Sequence, residues 1–304
     1  EMLRSLVGSE MCIRDRMEVY KSVSRQVHEI FHEYTDLIEP LSLDEAFLDV
    51  TENKQGILLA VDIAKAIKQR IREELSLVAS AGVSYNKFLA KIASDFRKPD
   101  GLCTIHPDQA IDFIARLPIE SFWGVGPVTA RKMHLLGIHN GLQLRECSSE
   151  MLVRQFGKVG LLYYDFARGV DLRPVEAVRI RKSIGCEHTL EKDIHVRSSV
   201  IIELYHVATE LVERLQQKEF RGNTLTLKIK FHDFSQITRS MTQAQELTNL
   251  ERILPLAKQL LKEVEYEQHP IRLIGLSVSN PREEADEHRG VWEQLSFEFS
   301  DWGK

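Results

Sequence analysis

The sequence predicts an α+β protein made of more than one compact unit. Its 304 residues, 43 % hydrophobic and 28 % charged, have an ordinary globular composition with room for two or three such units. Segments of helical and strand period alternate up to about residue 106 and again beyond residue 182. The stretch between them is helical in pattern, with glycine punctuation and no convincing strand.

Taken in order, Val19, Val23, Val27, Ile30, Phe31 and Tyr34 recur at three- and four-residue steps and predict a helix over 17–34. The apolar stretch "IEPLSLDEAFLDVT" follows, then an amphipathic helix over about 57–75. "LVASAGVS" reads as a short strand, and the next helix opens at Asn86 and has to stop before Pro99. "GLCTIH" is a further strand, and Pro107 opens a helix at the first position, where a missing N–H costs nothing. After the helical stretch 108–170, "VDLRPVEAVRIRK" reads as a charged linker over 171–182. A second α+β unit over 183–281 holds a strand near 182–188, a helix over 196–217, a hairpin, a helix over 250–264 and the strand "IRLIGLSVS". Residues 282–304 read as a flexible acidic tail that carries −4 of the net charge of −5, so the remaining chain is near neutral and can present a basic face.

Several classes are excluded. No run approaches the roughly 18 apolar residues of a membrane span, and the N-terminus lacks the sections of a signal peptide. Cys12, Cys103, Cys147 and Cys186 are far apart and never in CxxC spacing, which speaks against a disulfide framework or a zinc site and for a reducing cytosol.

Asp44 and Glu45 interrupt the apolar stretch 38–51. Neighbouring residues on a regular strand point to opposite faces, so both acids can serve one site only if the chain bends there, as at a hairpin. On the residues alone two readings stand open. One is a solvated turn, where acids are common. The other is a Mg²⁺ site, because carboxylates among Leu41, Leu43, Ala46, Phe47 and Leu48 need a partner or a metal, and Mg²⁺ takes carboxylate oxygens with substrate phosphates.

"IEPLSLDEAFLDVT", "ASAGVSYNKFLAKIASDFRKPDG" and "FWGVGPVTARKMHLLGI" resemble, in order, motifs of the Y-family DNA polymerases, and the resemblance runs from about residue 17 onward. It implies an incomplete ferredoxin-like palm over 17–107, an all-helical helix-hairpin-helix thumb over 108–170 and an α+β little finger. It further implies Asp44 as a metal ligand, Glu45 as the catalytic carboxylate, Lys98 on the incoming triphosphate, and two Mg²⁺ ions acting on a dNTP at a primer 3′ end. Without the resemblance, Lys98 reads as a helix-end lysine facing solvent. The implied function is damage-tolerant, low-fidelity synthesis by a monomer in a bacterial cytoplasm.

The family's palm opens on a strand bearing another metal-binding Asp, followed by a fingers domain. Residues 1–16, "EMLRSLVGSEMCIRDR", match neither and read as a non-native leader on a shortened start, with a divergent start as the alternative. The expectation is therefore a chain that polymerises poorly or not at all. Other readings are a catalytically dead remnant that binds DNA and a sliding clamp, and another palm-type nucleotidyl enzyme such as a cyclase.

Three regions read as binding surfaces. Gly124 and Gly126 in "GVGP" make a tight turn into a helix whose free N–H groups can hold a phosphate, with "FGKVGLL" as a weaker second copy; an ordinary helix–helix corner has the same look. In "NTLTLKIKFHDF", Leu225, Leu227, Ile229 and Phe231 alternate with Thr226, Lys228, Lys230 and His232, as in any one-sided antiparallel sheet. The resemblance makes that basic face a contact for primer–template DNA, with Lys228, Lys230 and Arg239 on phosphates and Arg181 and Lys182 joining from the linker. "QLSFEF" in the tail resembles clamp-binding peptides, with Gln294, Leu295, Phe297 and Phe299 as anchors; a tail strand docked on its own domain is the alternative.

Overall fold

The computed structural model describes residues 16–178 and 180–281. The chain divides into two compact units, Glu1–Arg179 and Ile180–Lys304.

In the first unit, helices α1 (Met17–His32) and α2 (Ala60–Leu75) pack through Ile30, Tyr34, Ile63, Ile67 and Ile71. Between them in sequence lies an antiparallel hairpin of β1 (Ile38–Pro40) and β2 (Ala46–Leu48). Strand β3 (Ala81–Val83) runs parallel to β4 (Leu102–Thr104), joined by α3 (Lys87–Phe96), whose N-cap Asn86 accepts the Leu89 N–H through its side chain. The expected helices and strands are thus present, with the strands in two separate two-stranded sheets among the described residues.

Gly82 lets β3 lie directly against α3. A Cβ there would stand 2.0 Å from the Ala90 carbonyl oxygen and 2.3 Å from the Ser94 nitrogen, inside any permitted contact.

The helical stretch comprises α4 (Pro107–Arg116), a 3₁₀ turn at Ile119–Ser121, α5 (Pro127–Leu135), α6 (Gly141–Glu146), α7 (Ser149–Phe156) and α8 (Val159–Phe166). Its apolar core is continuous with α3. Phe88 stacks on Phe166 at a 4.0 Å centroid distance and meets Phe122 at 5.4 Å, all three sealed from solvent.

The sequence-predicted linker is only partly free. Residues 169–176 are stitched onto the N-terminus of α3. Tyr85 and Asn86 both donate to the Gly169 carbonyl, and the Asp171 carboxylate accepts the Phe88 N–H at 3.0 Å. Lys87 donates to the Pro174 carbonyl, and the Glu176 N–H donates to Glu39.

The second unit is a four-stranded antiparallel sheet in the order β5 (Ser183–Ile194), β8 (Ile271–Pro281), β6 (Gly222–Phe231), β7 (Gln236–Thr242). Helices α9 (Arg197–Gln217) and α10 (Leu250–Leu261) cover one face, burying Leu204, Val207, Leu211, Ile253, Ala257 and Leu260 against Leu225, Leu227, Ile229, Ile274, Leu276 and Val278. Among the described residues of this unit, no helix covers the opposite face. Strand β5 runs six residues beyond its predicted end at 188, with a register shift after Thr189.

Candidate active site and nucleic-acid interface

The acid pair sits at a bend, as the sequence requires for both to serve one site. The β1–β2 register pairs Ile38 with Leu48, Glu39 with Phe47 and Pro40 with Ala46, leaving 41–45 as the loop. The Leu41 and Ser42 N–H groups close it on the Glu45 carbonyl at 2.8 and 3.2 Å. Ser42 Oγ donates to Asp44 Oδ1 at 2.6 Å. The apolar flanks do not bury the pair: Asp44 is exposed, Leu43 is 43 % exposed, and the Glu45 side chain is 39 % exposed.

What anchors the hairpin is the residue pair beneath it. Glu39 and Phe47, cross-strand partners on one face, both meet Lys87. Its ammonium is 2.6 Å from Glu39 Oε2 and 5.5 Å from the Phe47 ring centroid. Phe47 also packs edge-on against Trp123, whose own ring lies under the Arg173 guanidinium. Burial works against the Glu39 carboxylate, but the Glu176 N–H and Lys87 outweigh it and hold its pKa below the usual range.

Along α3 the structure brings two of the predicted residues together through two that the sequence reading did not single out. Glu45 pairs with Lys91 at 3.3 Å, Lys91 with Asp95 at 2.9 Å, and Asp95 with Lys98 at 2.5 Å. Lys98 lies exposed beyond the last turn, so this chain of charges runs from the hairpin to the helix end. Burial disfavours the charged forms of Lys91 and Asp95. Ion pairing overrides it, raising the Lys91 pKa and lowering that of Asp95. The four- and three-residue spacing of Lys91, Asp95 and Lys98 was the available signal.

The donor set suits a hard divalent cation in part. Two carboxylates stand adjacent at one turn, and oxygen is the ligand type Mg²⁺ selects. No group of three or more His, Cys, Asp or Glu side chains that could hold a metal occurs among the described residues.

Gly124 has φ +84°, a conformation suited to glycine, and Gly126 is the N-cap residue of α5, with Pro127 at the first helical position. No atom would lie within 4 Å of a Cβ at either glycine, so the turn is open. The element preceding it is the short 3₁₀ turn rather than a full helix. The weaker second copy is a true helix pair, α7 and α8, turning at Gly157 with φ +65°.

On the open face of the second unit, the register lines up four rows across β5, β8, β6 and β7: Ser183–Ser279–Thr224–Thr242, Gly185–Ser277–Thr226–Ser240, Glu187–Gly275–Lys228–Thr238 and Thr189–Leu273–Lys230–Gln236. Lys228 and Lys230 therefore share a hydroxyl-rich face, as alternation predicts. Arg239 does not join them. It pairs with Leu227, whose parity is that of the helix-covered face, and its guanidinium lies 3.8 Å from Glu263. Arg181 and Lys182 are exposed just ahead of β5. Gln294, Leu295, Phe297 and Phe299 lie outside the described residues. No described helix is long and apolar enough to cross a membrane, and the three described cysteines are unpaired.

Residues 3–95 match the impB/mucB/samB family, 107–138 the IMS family HHH motif, and 181–295 the impB/mucB/samB family C-terminal domain. The first match thus begins within the segment read as a leader. DNA polymerase IV of Akkermansia muciniphila is 61 % identical over 286 residues, covering 94 % of this chain and 79 % of that protein. The Clostridium perfringens protein of the same name is 46 % identical over 300 residues, covering 97 % and 83 %. Among solved structures, a Y-family DNA polymerase chimera of Dbh and Dpo4 superposes with a TM-score of 0.80 at 28 % identity, covering 88 % of this chain and 77 % of the other. An insertion ternary complex of Dbh DNA polymerase gives 0.57 at 27 % identity over the same shares.

Proposed function

The chain belongs to the impB/mucB/samB family of Y-family DNA polymerases, and on that premise we propose that the hairpin acids and α3 form its nucleotidyl-transfer site. The protein is a DNA-directed DNA polymerase of the translesion type, acting on DNA and deoxynucleoside triphosphates. The finer assignment rests on one observation: the ion chain Glu45–Lys91–Asp95–Lys98, which links the residues expected to act on the primer end and on the triphosphate.

In this reading Asp44 and Glu45 present carboxylate oxygens to Mg²⁺ at the loop end, and Lys98 offers its ammonium to the triphosphate. Bound Mg²⁺ neutralises phosphate charge and favours the attacking and leaving oxygens of an in-line displacement. Lys91 holds Glu45, so the carboxylate stays oriented at the hairpin mouth. Asp95 holds Lys98 until a phosphate oxygen takes its place, a swap between two anionic partners that keeps the lysine charged. The Gly124–Gly126 turn and the free N–H groups opening α5 suit a DNA phosphate without reading sequence. Lys228 and Lys230 meet further phosphates from the open sheet face, with Arg181 and Lys182 beside it.

Primer extension in Mg²⁺ with Asp44→Asn, Glu45→Gln and Lys98→Ala tests the assignment. Extension should vanish in the first two and need more dNTP in the third. Extension indifferent to Asp44→Asn would refute the metal role. No extension by the parent, with duplex binding retained, identifies the chain as a binding remnant.

A further inference from the structure

In the four rows of the open sheet face, the one acid is Glu187, and it is held by Lys228, one of the two lysines of that face. Lys228 Nζ donates to Glu187 Oε2 at 2.6 Å, with side chains 50 % and 33 % exposed for Glu187 and Lys228. The two residues are not on neighbouring strands. Strand β8 runs between them, so their backbones stand about 9–10 Å apart, two strand spacings. The bridge passes over Gly275, which occupies the intervening position of the same row. A Cβ at Gly275 would stand 2.9 Å from that of Glu187 and 3.2 Å from the Cys186 carbonyl oxygen, so a side chain there would fill the lane the carboxylate uses.

We propose that Glu187 is an internal stand-in for a DNA phosphate, holding Lys228 until the sugar-phosphate backbone displaces it. This rests on the reading that the open face meets the DNA backbone. The other members of the four rows are mostly serine, threonine and glycine, small groups that admit a backbone closely and donate hydrogen bonds without charge. A carboxylate among them repels phosphate and occupies one of the two lysines. Binding to any duplex therefore includes breaking the Glu187–Lys228 pair, and Glu187 limits the affinity of the face uniformly across sequences. The ammonium changes partner without losing charge, so the exchange needs no proton. Glu187 thereby favours release of DNA and lowers retention on duplex that offers the site nothing further.

Binding of a fluorescein-labelled primer–template duplex to the full chain, measured by anisotropy between about 50 and 200 mM salt, decides the matter. Four proteins are compared: the parent, Glu187→Gln, Lys228→Ala and the double variant. Glu187→Gln is expected to tighten binding about three- to tenfold at 50 mM salt while leaving the dependence of log K on log salt close to the parent's, because Lys228 meets the phosphate in both proteins. In the Lys228→Ala background the same change should alter affinity less than twofold. Equal tightening in both backgrounds would show Glu187 acting only as a diffuse charge and would overturn the exchange. Unchanged or weaker binding of Glu187→Gln, with Lys228→Ala still weakened, overturns this inference and leaves the DNA-facing sheet in place. If Lys228→Ala and the double variant both match the parent, the DNA-facing reading itself fails, and the inference with it. The glutamine variant keeps the size and hydrogen-bonding capacity of an exposed side chain, so folding is not at stake.

Discussion

Lys87→Met tests the ion pair at the root of the β1–β2 hairpin. The Lys87 side chain is 9 % exposed and that of Glu39 20 %, so water screens the pair little. Methionine keeps the stem and removes the charge. It leaves the Glu39 carboxylate with the Glu176 N–H at 2.9 Å and takes the donor from the Pro174 carbonyl. Removing one member of a buried pair costs about 3–5 kcal/mol; the retained N–H and the residual exposure of Glu39 point to the lower end, about 3 kcal/mol. Glu39→Gln alone strands the lysine instead, for about 2 kcal/mol, because the Pro174 carbonyl still solvates the ammonium. With both changes no charge is stranded, and the double variant should cost no more than Lys87→Met alone, a coupling of about 2 kcal/mol. Trp123 touches both Phe47 and Arg173, so with Trp292 and Trp302 replaced by phenylalanine the tryptophan fluorescence reports this site during urea unfolding. A loss below about 1 kcal/mol for Lys87→Met, or strictly additive costs, would refute the reasoning.

Asp171 has a side chain sealed from solvent. Burial works against its charge, but Arg173 and the Phe88 N–H hold its pKa below the usual value. A carboxylate with a lowered folded pKa stabilises fully above its unfolded value near 4 and loses that contribution as pH falls through the folded value. Asp171→Asn should therefore cost about 2 kcal/mol at neutral pH and progressively less as the pH falls below about 4, read by the same unfolding assay. His188 runs the other way. Burial lowers its pKa, yet Glu210 at 2.6 Å and Glu203 at 2.7 Å raise it overall, so its support for the second unit is full below about pH 6.5 and fades as pH rises through the folded value. His188→Gln should flatten that portion of a melting-temperature-versus-pH curve; an unchanged curve counts against the bridge. Replacing Lys228 and Lys230 together by alanine should reduce the salt slope of duplex binding by about 1.8, independent of base sequence, since each phosphate contact contributes about 0.9. Deleting residues 294–299 should abolish pull-down by a sliding clamp, and retention would remove the proposed clamp contact.

Local pattern made most of this fold legible. Apolar residues at helical steps located α1 and α9, and Pro107 marked the start of α4 because it sits where no N–H is needed. Strict alternation located β6 and put Lys228 and Lys230 on one face. Arg239 was misplaced because its face depends on register, and register depends on how residues 232–235 turn, which alternation within one strand does not reveal. The acid pair's bend was legible from adjacency alone. Its support was not: Glu39 and Lys87 stand 48 residues apart, and the segment at 169–176 meets α3 across more than 80. Those partners leave no periodic trace. Lys91 and Asp95 did leave one, at four-residue spacing, but such pairs also decorate any solvated helix.

The contact at Gly82 has a consequence for anyone reshaping this enzyme. Main chain rests on main chain there, so the placement of α3, and with it the spacing from Lys91 to Lys98, is fixed by atoms that no amino-acid choice can trim. Exposed side chains along α3 are open to redesign. The β3–α3 block itself has to be transplanted whole, as one rigid cassette, or left alone.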